Sequence, residues 1–319
     1  MLPGLLIGLL VGAKGMADWS IQVGGIQDGT YPAGNGIVHD YAGGAFIAGD
    51  FSGNVSFGAT RLTARGSVAA FVMHVTASGA IDWVIQVDGT DEAKAHAIAD
   101  DDRGGEFRGQ ATFGATTLTS RGAADAFVVR VTESGVIEWA ASVLATTNSY
   151  GYGIATDGVG GAHVTGKFRG LAMFGSTSLS GFDFYDVFVM HVTAYGVIDW
   201  AVQAGGTSSD GGYGITTDGV GGALVTGGFR SEATFGPTVL TSEGLSDVFV
   251  MHVTALGVID WAVKAGGKLE GAGFGIALKV YPDTFMVGIA RPNNTIQAIA
   301  ATAGWPTTSI YRVNVPSST

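Results

Sequence analysis

Apolar and polar positions alternate with a period of two along most of this chain, and helix-period apolar patterns are absent. The clearest stretch runs from Asp186 to Gly205, DVFVMHVTAYGVIDWAVQAG. Its β-branched and aromatic residues flank a short glycine-containing turn, which predicts a β-hairpin. The pattern recurs as FVMHVTASGAIDW from Phe71 to Trp83, FVVRVTESGVIEW from Phe127 to Trp139, and FVMHVTALGVIDW from Phe249 to Trp261.

Tryptophans mark the repeat. Five of the six fall at Trp19, Trp83, Trp139, Trp200 and Trp261, in steps of 64, 56, 61 and 61 residues, each preceded by an acid. A period near sixty suits a four-stranded propeller blade with a long internal excursion. Each repeat opens with a glycine-framed strand, as in GIVHD from Gly36, GIATD from Gly153 and GITTD from Gly214. A turn follows (DYAGG, DGVGG), then a second strand (AFIAGDF, AHVTGKF, ALVTGGF) and an excursion beginning Phe-Gly at Phe57, Phe113, Phe174 and Phe235. The hairpin closes the repeat. Two repeats depart from this order. The second is about five residues short, which predicts a stunted or missing second strand. The fifth lacks the excursion and ends in SIYRV, Ser309 to Val313, where the others have FVMHV.

The expected fold is therefore all-β: a single five-bladed β-propeller over residues 16–319, about four antiparallel strands per blade, with repeats separated at Trp83, Trp139, Trp200 and Trp261. Five first strands and a leading tryptophan strand suggest a ring. Residues 16–24 would supply the outer strand of the last blade beside Ser309 to Val313, removing both open edges. That closure pairs Arg312 with Asp18.

GYGIATDGVGGAHVTGKF and DVFVMHVTAYGVIDW together resemble the SBBP family of β-propeller repeats, whose pattern is GxGIAxDxxGxxxVTGxF followed by DxFVxxxxxxGxxxW. The resemblance covers residues 16 to 261 well and the remainder loosely. It implies a β-propeller, commonly in secreted or surface proteins, with no catalytic residues to carry over. The family name refers to seven blades, whereas this chain supplies five.

Composition narrows the function. With 46 % hydrophobic residues, 53 glycines and 7 prolines, the chain can bury a large core between many tight turns. A net charge of −11 argues against nucleic acid and anionic membrane as partners. There is no cysteine, hence no disulfide or thiolate metal site. No apolar run reaches the roughly 20 residues of a membrane-spanning helix. Residues 1–15 read as a signal peptide, with Leu2 to Ala13 as the apolar region, or as a disordered or packed apolar tail. Location at the cell surface or outside the cell depends on the signal reading. Sequons at Asn54 and Asn293 would matter only in a secreted eukaryotic chain.

Three sets of residues are candidates for chemistry. His74, Arg130, His191 and His252 occupy matched hairpin positions opposite Asp82, Glu138, Asp199 and Asp260, and Arg312 would match them opposite Asp18. Cross-strand ion pairing explains them better than a metal site, because repeats hold these side chains too far apart for shared ligation. The turn aspartates Asp40, Asp101, Asp157 and Asp218 suit tight turns. Asp100, Asp101 and Asp102 form the one dense acidic spot and the best calcium candidate. Asn35, His96, Tyr152, Tyr213 and Phe274 each lie two residues before a first-strand Ile or its equivalent, at matched points near one rim. Aromatic and amide groups there suit a sugar ring or a peptide, although the aromatics equally suit filling gaps between adjacent blades.

No phosphate loop, nucleophile elbow or His-x-x-x-His occurs. The expectation is a non-enzymatic binding or structural scaffold, without cofactor, for a glycan or protein partner. A polysaccharide hydrolase or lyase on a propeller is the alternative. A self-assembling surface protein is another.

Overall fold

The computed structural model describes residues 5–9, 19–25, 31–99, 102–181, 184–266, 271–279, 284–290, 297–302 and 311–314, for some strand residues the backbone alone. Every regular element among them is a β-strand. The chain divides into two compact units, residues 1–144 and 145–319.

Five antiparallel four-stranded sheets follow the five repeats. The N-terminal unit holds sheet one, with strands Ala33–His39, Ala45–Phe51, Ala69–Val75 and Ile81–Gly89. It also holds sheet two: Glu92–Ala99, Asp102–Arg108, Asp125–Val131 and Ile137–Ala145, whose last residue passes the unit boundary. The C-terminal unit holds sheet three, Asn148–Thr156, Ala162–Arg169, Asp186–Val192 and Ile198–Gly206. Sheet four is Gly211–Thr217, Ala223–Phe229, Asp247–Val253 and Ile259–Ala265. Sheet five is Ala272–Lys279, Thr284–Ala290, Gln297–Thr302 and Tyr311–Asn314. Within each unit the first strands of neighbouring sheets meet closely. A Cβ on Gly36 would lie 2.8 Å from Ile98, and one on Gly153 would lie 3.1 Å from the Tyr213 carbonyl.

In each of the first four repeats three buried phenylalanines build the core. Phe51, Phe57 and Phe71 do so in the first repeat, with ring centroids 4.8–6.4 Å apart. Phe168, Phe174 and Phe188 repeat the arrangement in the third. All six are fully buried. Glycine in the second strand makes room: a Cβ on Gly166 would lie 1.9 Å from the Tyr150 carbonyl and 2.8 Å from the Phe188 ring.

The Phe-Gly excursion is a hairpin, and it pairs outside its own sheet. Gln110–Phe113 joins the outer strand of sheet one, with Ala111 opposite Gly89. Glu232–Phe235 joins the outer strand of sheet three, with Gly206 opposite Ala233. Each hairpin thus inserts its Phe into its own repeat's core while extending the preceding sheet, which ties adjacent sheets together.

Three expectations are corrected. The second strand of repeat two is complete, pairing on both sides with Ala99 and Arg130 opposite its first residue, Asp102. The missing residues come from the preceding turn instead, where a loop shortens at little cost to the ladder. In repeat five the third strand is Gln297–Thr302, and Tyr311–Asn314 is the outer strand. Losing the excursion brings an apolar segment, QAIAAT, directly into third place. Finally, Trp19–Gly25 does not pair with the C-terminal strand. It pairs with Leu5–Leu9 on one side and with Asn54–Phe57 on the other. A nearby apolar segment with strand propensity needs far less loop closure than the chain's opposite end. Arg312 lies opposite Ile299 in its ladder; Asp18, and with it the expected Asp18–Arg312 pair, lies outside the described residues.

Candidate functional site

The five rim candidates share one backbone feature: each is the extra residue of a β-bulge. The register between first and second strands shifts between Gly34 and Gly36, passing over Asn35. It shifts likewise around His96, Tyr152, Tyr213 and Phe274. Flanking glycines or alanines permit the kink. A bulge leaves its residue out of the ladder and re-aims its side chain, a device common beside binding sites. The side chain of Phe274 lies outside the described residues.

In the N-terminal unit these residues sit in a polar network. The Asn35 amide donates to Asp50 Oδ1 at 2.7 Å and to the Ala95 carbonyl at 2.9 Å. Burial pushes the Asp50 carboxyl up, and the Asn35 bond opposes this. His96 bonds the buried Glu106 through Nε2. Glu92 binds Arg108 at 2.7 Å and also pairs with Lys94.

In the C-terminal unit the same position is aromatic. The rings of Tyr150 and Tyr152 are nearly parallel with centroids 6.1 Å apart, and Tyr152 lies 5.5 Å from Tyr213. The Lys167 ammonium rests over Tyr185 at 4.7 Å and over Tyr150 and Tyr152 at 5.4 Å each. The Tyr185 hydroxyl accepts from Asn148 at 3.2 Å. The alternative gap-filling role is partly realised, since Tyr152 and Tyr213 touch between sheets three and four while staying half-buried. Asp210, which acts electrostatically on Tyr213, is 1 % exposed and accepts from the Gly206 and Arg230 amides at 2.9 Å each. Burial pushes its carboxyl up to about 7; the two amides oppose this and Asp186 adds to it. Burial also raises the Tyr213 phenol.

The hairpin pairs form as expected from spacing. His74, His191 and His252 meet Asp82, Asp199 and Asp260 through Nδ1 at 2.7–2.8 Å, and Arg130 meets Glu138 at 3.2 Å. The register differs by one, because His74 lies opposite Trp83 and Asp82 is itself a bulge residue. The indole therefore stacks over the His74 ring, 6.0 Å between centroids, on the same side of the sheet. Sequence reasoning missed the second arm. Nε2 of each histidine bonds a turn aspartate: Asp40 at 2.8 Å, Asp157 and Asp218 at 3.0 Å. A ring between two carboxylates donates to both only when doubly protonated. Burial works against the His74 cation, and its two carboxylates outweigh that, raising its pKa. Burial alone would raise Asp40; the His74 ring and the amides of Ala42 and Gly44 reverse this and lower it.

Sheet three adds a histidine that spacing did not single out. His163 is 1 % exposed, stands opposite His191, and neither ring nitrogen has a hydrogen-bond partner. Burial and the neighbouring His191 lower its pKa to about 4.

Asp100 and Asp101 lie outside the described residues, as does the side chain of Asp102. Among the described residues no cluster of three or more His, Asp or Glu is placed to hold a metal ion, and no helix is long and apolar enough to cross a membrane.

No family model and no curated protein matches the chain, so the resemblance to SBBP repeats stands on the residues that carry it. Among solved structures the chain is similar to the WD40 domain of Neurospora crassa Pan2, at 11 % identity and a TM-score of 0.35, over 84 % of this chain and 75 % of that one. The architecture described above rests on strand pairing and packing.

Proposed function

We propose that the chain is a non-enzymatic binding scaffold whose repeats are the blades of a β-propeller, engaging a glycan or protein partner at one rim. The observation that carries this reading is the set of five bulges at the same point of the repeat, a backbone device that re-aims the bulged residue. Close approach of neighbouring first strands within each unit supports the blade arrangement. The reading includes a location outside the cell, which mass spectrometry of the mature N-terminus tests.

The binding test applies the intact chain to mixed glycan and peptide arrays beside the Tyr152→Ala/Tyr213→Ala variant. Binding lost in the variant is expected. Binding of equal strength in both would contradict the rim site.

A second reading has one observation in its favour. Asp210, with its raised pKa, neighbours Asp186, and a carboxyl poised near 7 suits a general acid for glycoside cleavage. Both carboxyls are buried, which argues against substrate contact. Release of reducing ends from a polysaccharide panel, abolished in Asp210→Ser, would establish the hydrolase reading; no release is expected.

A further inference from the structure

Resting on the binding reading above, we propose that the C-terminal unit holds an acidic sugar, its ring stacked on the tyrosines and its carboxylate or sulfate met by Lys167 and Arg230. The placement comes from comparing one position across repeats. In the second strands, the residue between the small residue and the bulky one is Asp50, Glu106, Lys167 and Gly228. Of these only Lys167 is cationic, so the charge at this position changes sign from the first two repeats to the third and is absent in the fourth.

Lys167 is joined to its surroundings by rings. Tyr150, Tyr152 and Tyr185 flank its ammonium, and Tyr213 continues the aromatic surface from Tyr152. Arg230 acts electrostatically on Tyr213. Arg169 lies 6.0 Å from the ring of the exposed Phe184. The aromatics and two of these cations thus form one connected, half-exposed surface. The nearby acids are buried: Asp186 at 0 % exposed, and Asp210, which bonds backbone amides and on which Arg230 also acts electrostatically.

Such a surface has the chemistry of an acidic saccharide. The C–H faces of a sugar ring pack on aromatic rings, and a carboxylate or sulfate takes charge-assisted bonds from ammonium and guanidinium groups. A long polyanion is disfavoured, because a chain of net charge −11 repels it beyond the local cations. One or two sugar residues need only the local charge.

The test uses the full chain and calorimetric titration with uronate, sialylated and sulfated oligosaccharides, each beside its neutral counterpart, plus an oligothymidylate and sodium sulfate. At least one acidic sugar is expected to bind about tenfold or more tightly than its neutral partner, the effect of one charge-assisted bond. Lys167→Glu should abolish that preference and Lys167→Arg should retain it, with unchanged thermal melts showing that both variants fold. Equal binding of neutral and acidic sugars would overturn the proposal and leave the scaffold reading intact. Binding only to array peptides, tighter binding of the oligothymidylate, full competition by sulfate alone, or survival of the preference in Lys167→Glu would each overturn it as well. Failure of every array class would instead remove the scaffold reading.

Discussion

His163 shows how one side chain escapes the rule of its repeat. The equivalent residues of the first and fourth repeats are Phe46, opposite His74, and Leu224, opposite His252; in the second it is Asp102, opposite Arg130. Phe46 and Leu224 are apolar and need no partner, whereas His163 buries two polar nitrogens against His191, with Asp157, Asp199 and Asp218 contributing at longer range. Its folded pKa, about 4, lies below the unfolded value of 6.5. The unfolded chain therefore binds the extra proton between those values. The neutral ring's stability is fully present above pH 6.5 and is lost as pH falls toward 4. His163→Phe should restore about 2 kcal/mol at pH 5 and change far less at pH 7.5, read by urea denaturation at both values. An equal gain at both pH values would show that packing, not titration, is the cause. This residue was legible in principle: aligning AHVTG with AFIAG and ALVTG exposes it. Its burial was not, because nothing in a short strand's alternation says which face has a neighbour.

Among elements, the hairpin and the turn before the second strand act together through the histidine clamp. Asp40 caps its own turn by accepting from Ala42 and Gly44 amides, and His74 then ties that turn to the bulge at Asp82. Where the turn is shortened, in repeat two, the histidine is replaced by Arg130 and the aspartate by Glu138. His74 has a raised pKa, so its contribution is fully present below pH 6.5 and is lost as pH rises through the folded value. His74→Arg, copying repeat two, should weaken that alkaline dependence in denaturation curves from pH 6 to 9; an unchanged slope would remove the clamp from the account. The phenylalanine triads are a separate matter of packing. Phe188→Ala should cost about 3–5 kcal/mol, as full truncation of a buried aromatic does, and a loss under 1 kcal/mol would show that the triad can collapse around the gap. The cross-strand pairs were readable because hairpin spacing is local. Hairpin exchange was not, since an excursion's partner is a strand of the preceding repeat and its own sequence carries no register to it. The bulges had a visible signal in the G-x-G flanks, which sequence reading used only to mark strand starts.

At the scale of the whole chain, five sheets match the five repeats, and the strand expected to close the ring pairs elsewhere. Five first strands gave five sheets, since each carries its own frame of small residues, alanine in the second repeat and glycine in the others, and its own pair to a second strand. The strand expected to bridge the termini is instead occupied at both edges, by Leu5–Leu9 and Asn54–Phe57. An apolar leader can be read as a signal or as a strand from its composition alone, so the sequence left that choice open. The proposed binding role rests on where repeats differ: Asn35 and His96 with their acid partners Asp50 and Glu106 in the N-terminal unit, tyrosines and Lys167 in the C-terminal one. The central claim is that the bulge residues of sheets three and four face the partner. Hydrogen–deuterium exchange of the full chain, with and without a saturating acidic oligosaccharide, tests it most directly. The account predicts slowed exchange at 148–153, 165–169, 184–186 and 211–214; protection confined to the turns at 157–161 and 193–197 would contradict it.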